Sequence, residues 1–348
     1  MYSIKLTCKT ITPIFMAGAD GRTPELRTSE FKGMMRFWWR AIKSENNITK
    51  LRREESEIFG GSGEGEGKSK VSIKVYPQPQ KENIRNSLMK DINSYDGIKY
   101  LLYSTILPNR ERSYIEPDFQ FYIELHSTDE NAFKQALDSL WAAIYLGGFG
   151  TRSRRGGGNI EIIKSEGNSN ELSFILSNIS STNNLKQEIE KNINKIFCFF
   201  GRNRQNTNYP NMSNFRIIIL NPENTWQEAL NTVGDKFKKY RIENKSKIFD
   251  MGAFGMPIMH SRFTMRIVPY MKDKRISERM ASPIIIKVIK ANNRYFPILI
   301  KLSTYFPYIG KEIKNDRVWI KSNDIKNIND FKINEFLNNI NNKEEIIL

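Results

Sequence analysis

Cysteine and histidine are nearly absent. The 348 residues hold two of each, Cys8 and Cys198, His126 and His260. Two cysteines cannot build a four-thiolate zinc site or the disulfide framework of a small secreted module, and two histidines beside them leave little zinc chemistry. Long apolar runs are missing too. No stretch approaches the ~20 consecutive apolar residues of a membrane span. Met1 to Thr7 alternates like a strand and lacks a signal-peptide core. The chain is therefore expected in the cytoplasm, off the membrane. Acidic residues are outnumbered: 38 Asp and Glu stand against 54 Lys and Arg, a net charge of +16. With 39% hydrophobic and 26% charged residues, the composition is that of a folded protein and excludes disorder and collagen. At roughly 100–200 residues per domain, the length suggests two domains. The positive surplus calls for a partner. Nucleic acid comes first, an anionic membrane second, and a basic surface serving only solubility third.

What is present has a readable order. Residues 2–9 alternate as a strand, and a loop with Pro13, Gly18, Asp20, Gly21 and Pro24 follows. A helix is expected from Ser29, read as its N-cap, to Lys43. A charged stretch and a glycine-rich loop, Gly60 to Gly67, precede a strand at Val71–Tyr76. A long irregular insert covers 77–112, and Phe119–Leu125 reads as a third strand. Phe133, Ala136, Leu137, Leu140, Trp141 and Ile144 make Asn131–Leu146 an amphipathic helix. Ile160–Lys164 is a fourth strand. Strand, helix, strand, strand, helix, strand is the split βαβ order of a ferredoxin-like, RRM-like domain. Asn- and Ser-rich residues 165–184 read as a linker. Beyond it lie a helix at Leu185–Phe200, a strand at Asn214–Leu220, a helix at Trp226–Tyr240, a hairpin of Ser282–Lys290 with Tyr295–Leu302, and a helix at Phe331–Ile340. A second, decorated ferredoxin-like domain fits this order.

Two segments are candidates for anion binding. In the first helix, Phe31, Met34, Met35, Trp38 and Ile42 form an apolar ridge, while Lys32, Arg36, Arg40 and Lys43 form a basic one. The basic ridge is either a phosphate track or a solvated face. Trp38 and Trp39 are adjacent, so at least one is expected to leave the apolar face, Trp39 toward an interface. The second segment, Gly147 to Gly158, sets Arg152, Arg154 and Arg155 among six glycines. Glycines let backbone approach a ligand, successive N–H groups can form an anion nest, and arginines add bidentate phosphate recognition.

Other patterns are weaker. Gly67-Lys68-Ser69 ends like a phosphate-binding loop, but the glycine required five positions earlier is Ser62, and Glu64 and Glu66 would repel a triphosphate. This reads as a flexible loop, not a nucleotidase. His126 and His260 are the available general acid–base groups, although lone histidines are more often structural. Asp20 could ligate a metal or simply build a turn. Cys8 and Cys198 read as buried small apolar residues. No catalytic constellation, metal site or cofactor site is assigned.

Four stretches carry a family resemblance: Thr12 to Asp20; Pro24-Glu25-Leu26-Arg27 leading into Phe31 to Ala41; Glu57-Ile58-Phe59-Gly60 with its glycine loop; and Gly150 to Gly158, which fits a G-x5-G-x-G pattern. Gly255 to Ile258 and Arg279 to Pro283 add to it. Together they resemble the RAMP proteins of CRISPR systems, most nearly the first RAMP subunit of the type III-B (Cmr) effector complex. Ala17 stands where that family leads us to expect glycine. The resemblance implies an α+β protein of two tandem ferredoxin-like domains with insertions, 1–165 and 166–348. It implies an RNA-binding subunit that holds the 3′ part of a guide RNA near the guide–target duplex and touches other RAMP subunits. Target cleavage would belong to a different subunit. Arg27, Lys32, Arg36, Arg40, Arg152, Arg154 and Arg155 are the expected RNA contacts, with Gly150, Gly156 and Gly158 shaping the loop. The rival readings are a metal-independent guide-RNA-processing endoribonuclease using His126 or His260, and a basic scaffold for acidic proteins.

Overall fold

Alternation of Ile4, Leu6 and Cys8 into the interior makes Tyr2–Thr10 the first strand, β1. The structure is a computed structural model. It describes residues 1–201, 205–260, 264–271, 274–275, 279–315 and 318–347, and only the backbone of 260, 271, 274–275, 318 and 322–324. After β1 come α1 (Thr28–Lys43), α2 (Ile48–Phe59) and β2 (Val71–Tyr76). The insert carries β3 (Ile84–Arg85), α3 (Met89–Ile92), α4 (Asp96–Leu101) and β4 (Tyr114–Ile115). Then follow β5 (Gln120–Ser127), α5 (Glu130–Tyr145) and β6 (Ile160–Gly167). The second half runs α6 (Thr182–Phe200), β7 (Asn211–Leu220), α7 (Trp226–Glu243), β8 (Ile258–His260), β9 (Met265–Met271), β10 (Lys274–Arg275), β11 (Ile284–Ala291), β12 (Arg294–Ser303), β13 (Tyr308–Asn315), β14 (Val318–Asn327), α8 (Phe331–Asn338) and β15 (Lys343–Ile347).

The architecture is mixed α/β with several antiparallel sheets. One sheet has the order β2-β5-β1-β6 and another β11-β12-β7-β15, antiparallel throughout. In each, reading across the sheet meets its second, third, first and fourth strands in chain order. A third sheet, β10-β9-β13-β14 with β8 on β9, is built from segments inserted into the second half.

The two cores do not follow the halves of the chain. β7 is buried on both faces: Phe215, Ile217 and Ile219 join the core of α1, α5 and β1, whereas Ile218 and Leu220 join that of α7 and α8. A continuous apolar run, Ile217-Ile218-Ile219-Leu220, is what such a strand needs. The helices α1 and α5 therefore lie between two sheets. This explains α5, expected to be amphipathic but buried on every side from Ala136 to Leu146. It also places the tryptophans. Both Trp38 and Trp39 are fully buried, so neither leaves the core, and Trp39 Nε1 donates to Gln135 Oε1 at 2.8 Å. The insert, expected to be irregular, holds short helices that pack in the second core. There α4 meets α7 backbone to backbone: a Cβ on Gly97 would stand 2.5 Å from Asn231 O. The N-terminus of α1 also differs, with Arg27 rather than Ser29 at the cap and no side-chain cap bond.

Candidate nucleic-acid interface

The basic ridge of α1 is largely used within the fold. α2 lies over it. Glu55 accepts from Arg36 Nη1 at 3.1 Å and from Arg40 Nη1 at 2.8–2.9 Å, and Glu54 pairs with Lys43 at 2.7 Å. Arg36 also donates to the carbonyls of Phe59 and Gly60 at the end of α2. The expected phosphate track thus gives way, at Arg36, Arg40 and Lys43, to an interhelical ion-pair network. The reason is local: the charged segment after α1 folds back as a helix and supplies the carboxylates. Lys32 and Arg27 are half-buried and meet no carboxylate among the described residues. Burial and the nearby Arg36 lower the Lys32 pKa.

The glycine loop after α5 is a joint between the halves of the chain. Gly150, Gly156 and Gly158 all have positive φ. At Gly158, φ is +66° and a Cβ would stand 1.8 Å from Phe149 O, so only glycine fits. The expected anion nest is closed on itself. The N–H groups of Thr151, Ser153, Arg155, Gly157 and Gly158 donate to the carbonyls of Phe15, Gly150, Arg152, Arg152 and Pro13. The loop then pairs with β11: Ile286 N donates to Arg154 O at 3.1 Å, and Val288 N to Asn159 Oδ1 at 2.8 Å.

The three arginines have separate fates. Arg154 donates to Ser282 O and stacks at 5.0 Å over Phe37 of α1. Arg155 donates to Ile284 O (2.9 Å), Arg154 O (3.0 Å) and Phe254 O (3.1 Å). Burial pulls the pKa of both below the usual arginine range. Both donate to carbonyls of the second half, so the expectation of direct RNA contact by Arg154 and Arg155 changes to one of joining the halves. Arg152 differs. Its guanidinium lies 4.3 Å from the Tyr103 ring centroid, and its Nε donates to Ser104 Oγ at 2.7 Å.

Lys287 is a joint residue that the sequence reading missed. Fully buried on β11, its Nζ donates to Ile144 O (2.6 Å) and Gly147 O (2.8 Å), the carbonyls at the end of α5. Burial lowers its pKa to about 7. The signal was one lysine inside Ile284-Ile285-Ile286-Lys287-Val288-Ile289.

Beside the joint opens a cleft of 820 Å³. Tyr103, Ser104, Arg112, Thr151 and Arg152 line one side; Phe237, Arg241, Phe254, Met256 and Arg279 are on the other. Arg112 Nη1 donates to Thr151 Oγ1 at 3.3 Å. Arg241 lies over the rings of Phe237 and Phe254 and meets no carboxylate among the described residues. With Arg155 at its base, the cleft is lined, among the described residues, by five arginines and no carboxylate. Of the expected contacts, only Arg152 and Arg155 reach it. Arg112 and Arg241 were missed because nothing local marks them. Arg279 sits in a segment already noted for its family resemblance.

The weaker patterns find structural uses. Asp20 accepts from the N–H groups of Arg22 and Thr23, both at 2.9 Å, and from the Thr23 hydroxyl, which lowers its pKa to about 2. It is a turn builder. No group of three metal-ligating side chains occurs among the described residues. His126 lies within β5, with Nε2 3.5 Å from Glu124, and does not line the cleft. The side chain of His260 lies outside the described residues. The loop expected to be flexible at Gly60–Gly67 is tied by Glu66 to Gly63 N and Arg52, both at 2.8 Å, and has no phosphate cradle. Cys8 is buried, and burial raises its thiol pKa; Cys198, expected inside, is exposed. No helix among the described residues is long and apolar enough to cross a membrane.

Comparison with known proteins adds sequence and fold. The family model of the RAMP superfamily matches residues 7–161. The chain is 33% identical over 186 residues to CRISPR system Cmr subunit Cmr1-2 of Pyrococcus furiosus, covering 47% of this chain and 96% of that protein. It is 28% identical over 300 residues to subunit Cmr1-1 of the same organism, covering 82% and 83%. The apo crystal structure of Cmr1 from Pyrococcus furiosus shares the fold, with a TM-score of 0.66 over 93% of this chain and 94% of that one at 22% identity. A chain in the cryo-EM structure of the type III-B Cmr-beta complex bound to cognate target RNA also shares it, with a TM-score of 0.59 over 86% and 94% at 17% identity.

Proposed function

The chain belongs to the Cmr1 family of the RAMP superfamily, and from that premise we propose that it is an RNA-binding subunit of a type III-B CRISPR ribonucleoprotein. One observation carries the reading: among the described residues, five arginines and no carboxylate line the cleft beside the glycine joint, in a chain that has 38 acidic residues. Such a lining attracts a phosphate backbone and releases its counterions. The strand order repeated in both halves supports two tandem ferredoxin-like domains, 1–165 and 166–348, with the cleft where they meet. Within the complex the chain holds the 3′ part of the guide near the guide–target duplex, against neighbouring RAMP subunits. It grips RNA rather than cutting it. Arg112, Arg152, Arg241 and Arg279 make the contacts, and Arg27 and Lys32 offer a second, smaller basic face.

The test is a salt titration of the purified chain with labelled single-stranded RNA, with the same samples run on a denaturing gel with and without EDTA. The expected result is binding that weakens steeply with salt and leaves the RNA intact. Absent or salt-independent binding would overturn the RNA reading. A discrete cleavage product that persists in EDTA would overturn the assignment as a non-catalytic subunit.

A further inference from the structure

Phosphate attraction accounts for the arginines of the cleft but leaves one feature without a task. Tyr103 stands on the short turn Tyr103–Thr105 after α4, lines the cleft, and is 55% exposed. Arg152 lies against its ring at 4.3 Å, held there by the bond from its Nε to Ser104 Oγ. Arg152 also has φ +65°, a left-handed backbone that non-glycine residues avoid. Its carbonyl accepts from both Arg155 N and Gly157 N, so the joint itself enforces that conformation and the aim of the side chain. Strained residues of this kind gather at binding sites, where neighbouring contacts fix them. The segment leading into the Tyr103 turn is anchored as well. α4 is pinned to α7 through the bond from Gly97 N to Asn231 Oδ1 (2.8 Å) and the Lys238–Asp96 pair (3.2 Å).

We propose that Tyr103 and Arg152 form a stacking platform for one unpaired nucleobase at the mouth of the cleft. The proposal rests on the reading of the cleft as an RNA site and adds the part of the RNA that it grips. An aromatic ring backed by a guanidinium presents a flat, partly apolar surface with a positive charge beside it, which suits any base and the phosphate next to it. A paired base could not reach this surface, because its faces are already stacked in the duplex. The cleft therefore prefers single-stranded RNA, with little preference for sequence.

The experiment uses the full chain and short oligouridines, each with a single 2-aminopurine at a different position. The expected result is strong quenching at one position when the RNA is saturated with protein. Tyr103→Ala removes that quenching, weakens binding roughly tenfold, and leaves the salt dependence unchanged because no charge is lost. Tyr103→Trp restores both affinity and quenching. Salt-sensitive binding without quenching at any position, or quenching that survives in Tyr103→Ala, would overturn the platform while leaving the RNA reading intact. A chain that binds none of these oligomers at low salt would instead overturn the RNA reading, and the platform with it.

Discussion

Replacing Lys287 by methionine tests how the halves are locked. The ammonium group is fully buried and faces two carbonyls at the end of α5, with no carboxylate partner. Burial lowers its pKa to about 7, while the unfolded chain keeps it near ~10.4. Between those values the unfolded state binds one more proton than the native state. Stability therefore rises with pH in that window and becomes independent of this group below it. One pH unit corresponds to ~1.4 kcal/mol, and at pH 7 the native lysine is still half protonated, so from about pH 7 to about pH 9 the wild type gains ~2.3 kcal/mol from this lysine. Methionine has nothing to titrate. Urea unfolding followed by tryptophan fluorescence should show the wild type gaining on Lys287→Met by about that amount over this interval. The two carbonyls and the negative helix end oppose deprotonation, so ~2.3 kcal/mol is the upper limit. A difference that stays constant with pH would refute the reasoning, because it would mean that the carbonyls keep the ammonium charged throughout.

The arginines of the joint and of the cleft should separate by assay. Arg154→Ala should lower stability by ~2–4 kcal/mol, since it leaves Ser282 O without its donor and exposes the Phe37 ring, and should change the RNA salt slope less than loss of a cleft arginine does. Arg241→Ala, which removes only contacts to rings, should keep the melting temperature and lower the slope of log K against log salt by ~0.7. Thermal melts and salt titrations of the two variants check this. Gly158→Ala should be destabilised by ~3 kcal/mol or more, because its Cβ has no room and its φ is positive. Gly33→Ala, in an exposed turn of α1 with nothing near the Cβ, should be stabilised by ~0.5–1 kcal/mol. Denaturant melts of both variants decide it.

Legibility in the sequence followed locality. β1, β2, β5, α1 and α7 are visible because one-face burial writes a period of two or 3.6 into the residues themselves, while α5 and the β11–β12 hairpin, buried on more than one side, show as apolar runs bounded by turns. α2 was missed because its outward face is charged and its inner face holds Glu54 and Glu55, whose partners lie on another helix. The third sheet was missed because β9 pairs with β13, about 40 residues away, through residues as mixed as Arg266 and Glu312. The site shows the same limit. Arg152, Arg154 and Arg155 are indistinguishable as letters, and what separates them is Ser104, Ser282, Ile284 and Phe254. Local sequence marks a cationic loop; only the fold states which cations still have donors to offer.

The partners of those cations also decide where the charge of the protein is felt. Arg36 and Arg40 converge on Glu55, and that carboxylate cancels part of the field that the α1 ridge would project. Arg154 and Arg155 donate to carbonyls, which take up some of their N–H groups without cancelling their charge. Two positive charges thus stay embedded beside the cleft in a medium that screens them less than water does. They contribute potential at the cleft even where they make no contact. A polyanion approaching the joint feels the structural arginines as well as the exposed ones, which concentrates the field of a strongly basic chain on one groove instead of spreading it over the surface. The choice of carbonyl over carboxylate as the arginine partner, made by β11 and by the turn at Phe254, therefore links the cohesion of the two halves to the affinity of the cleft between them.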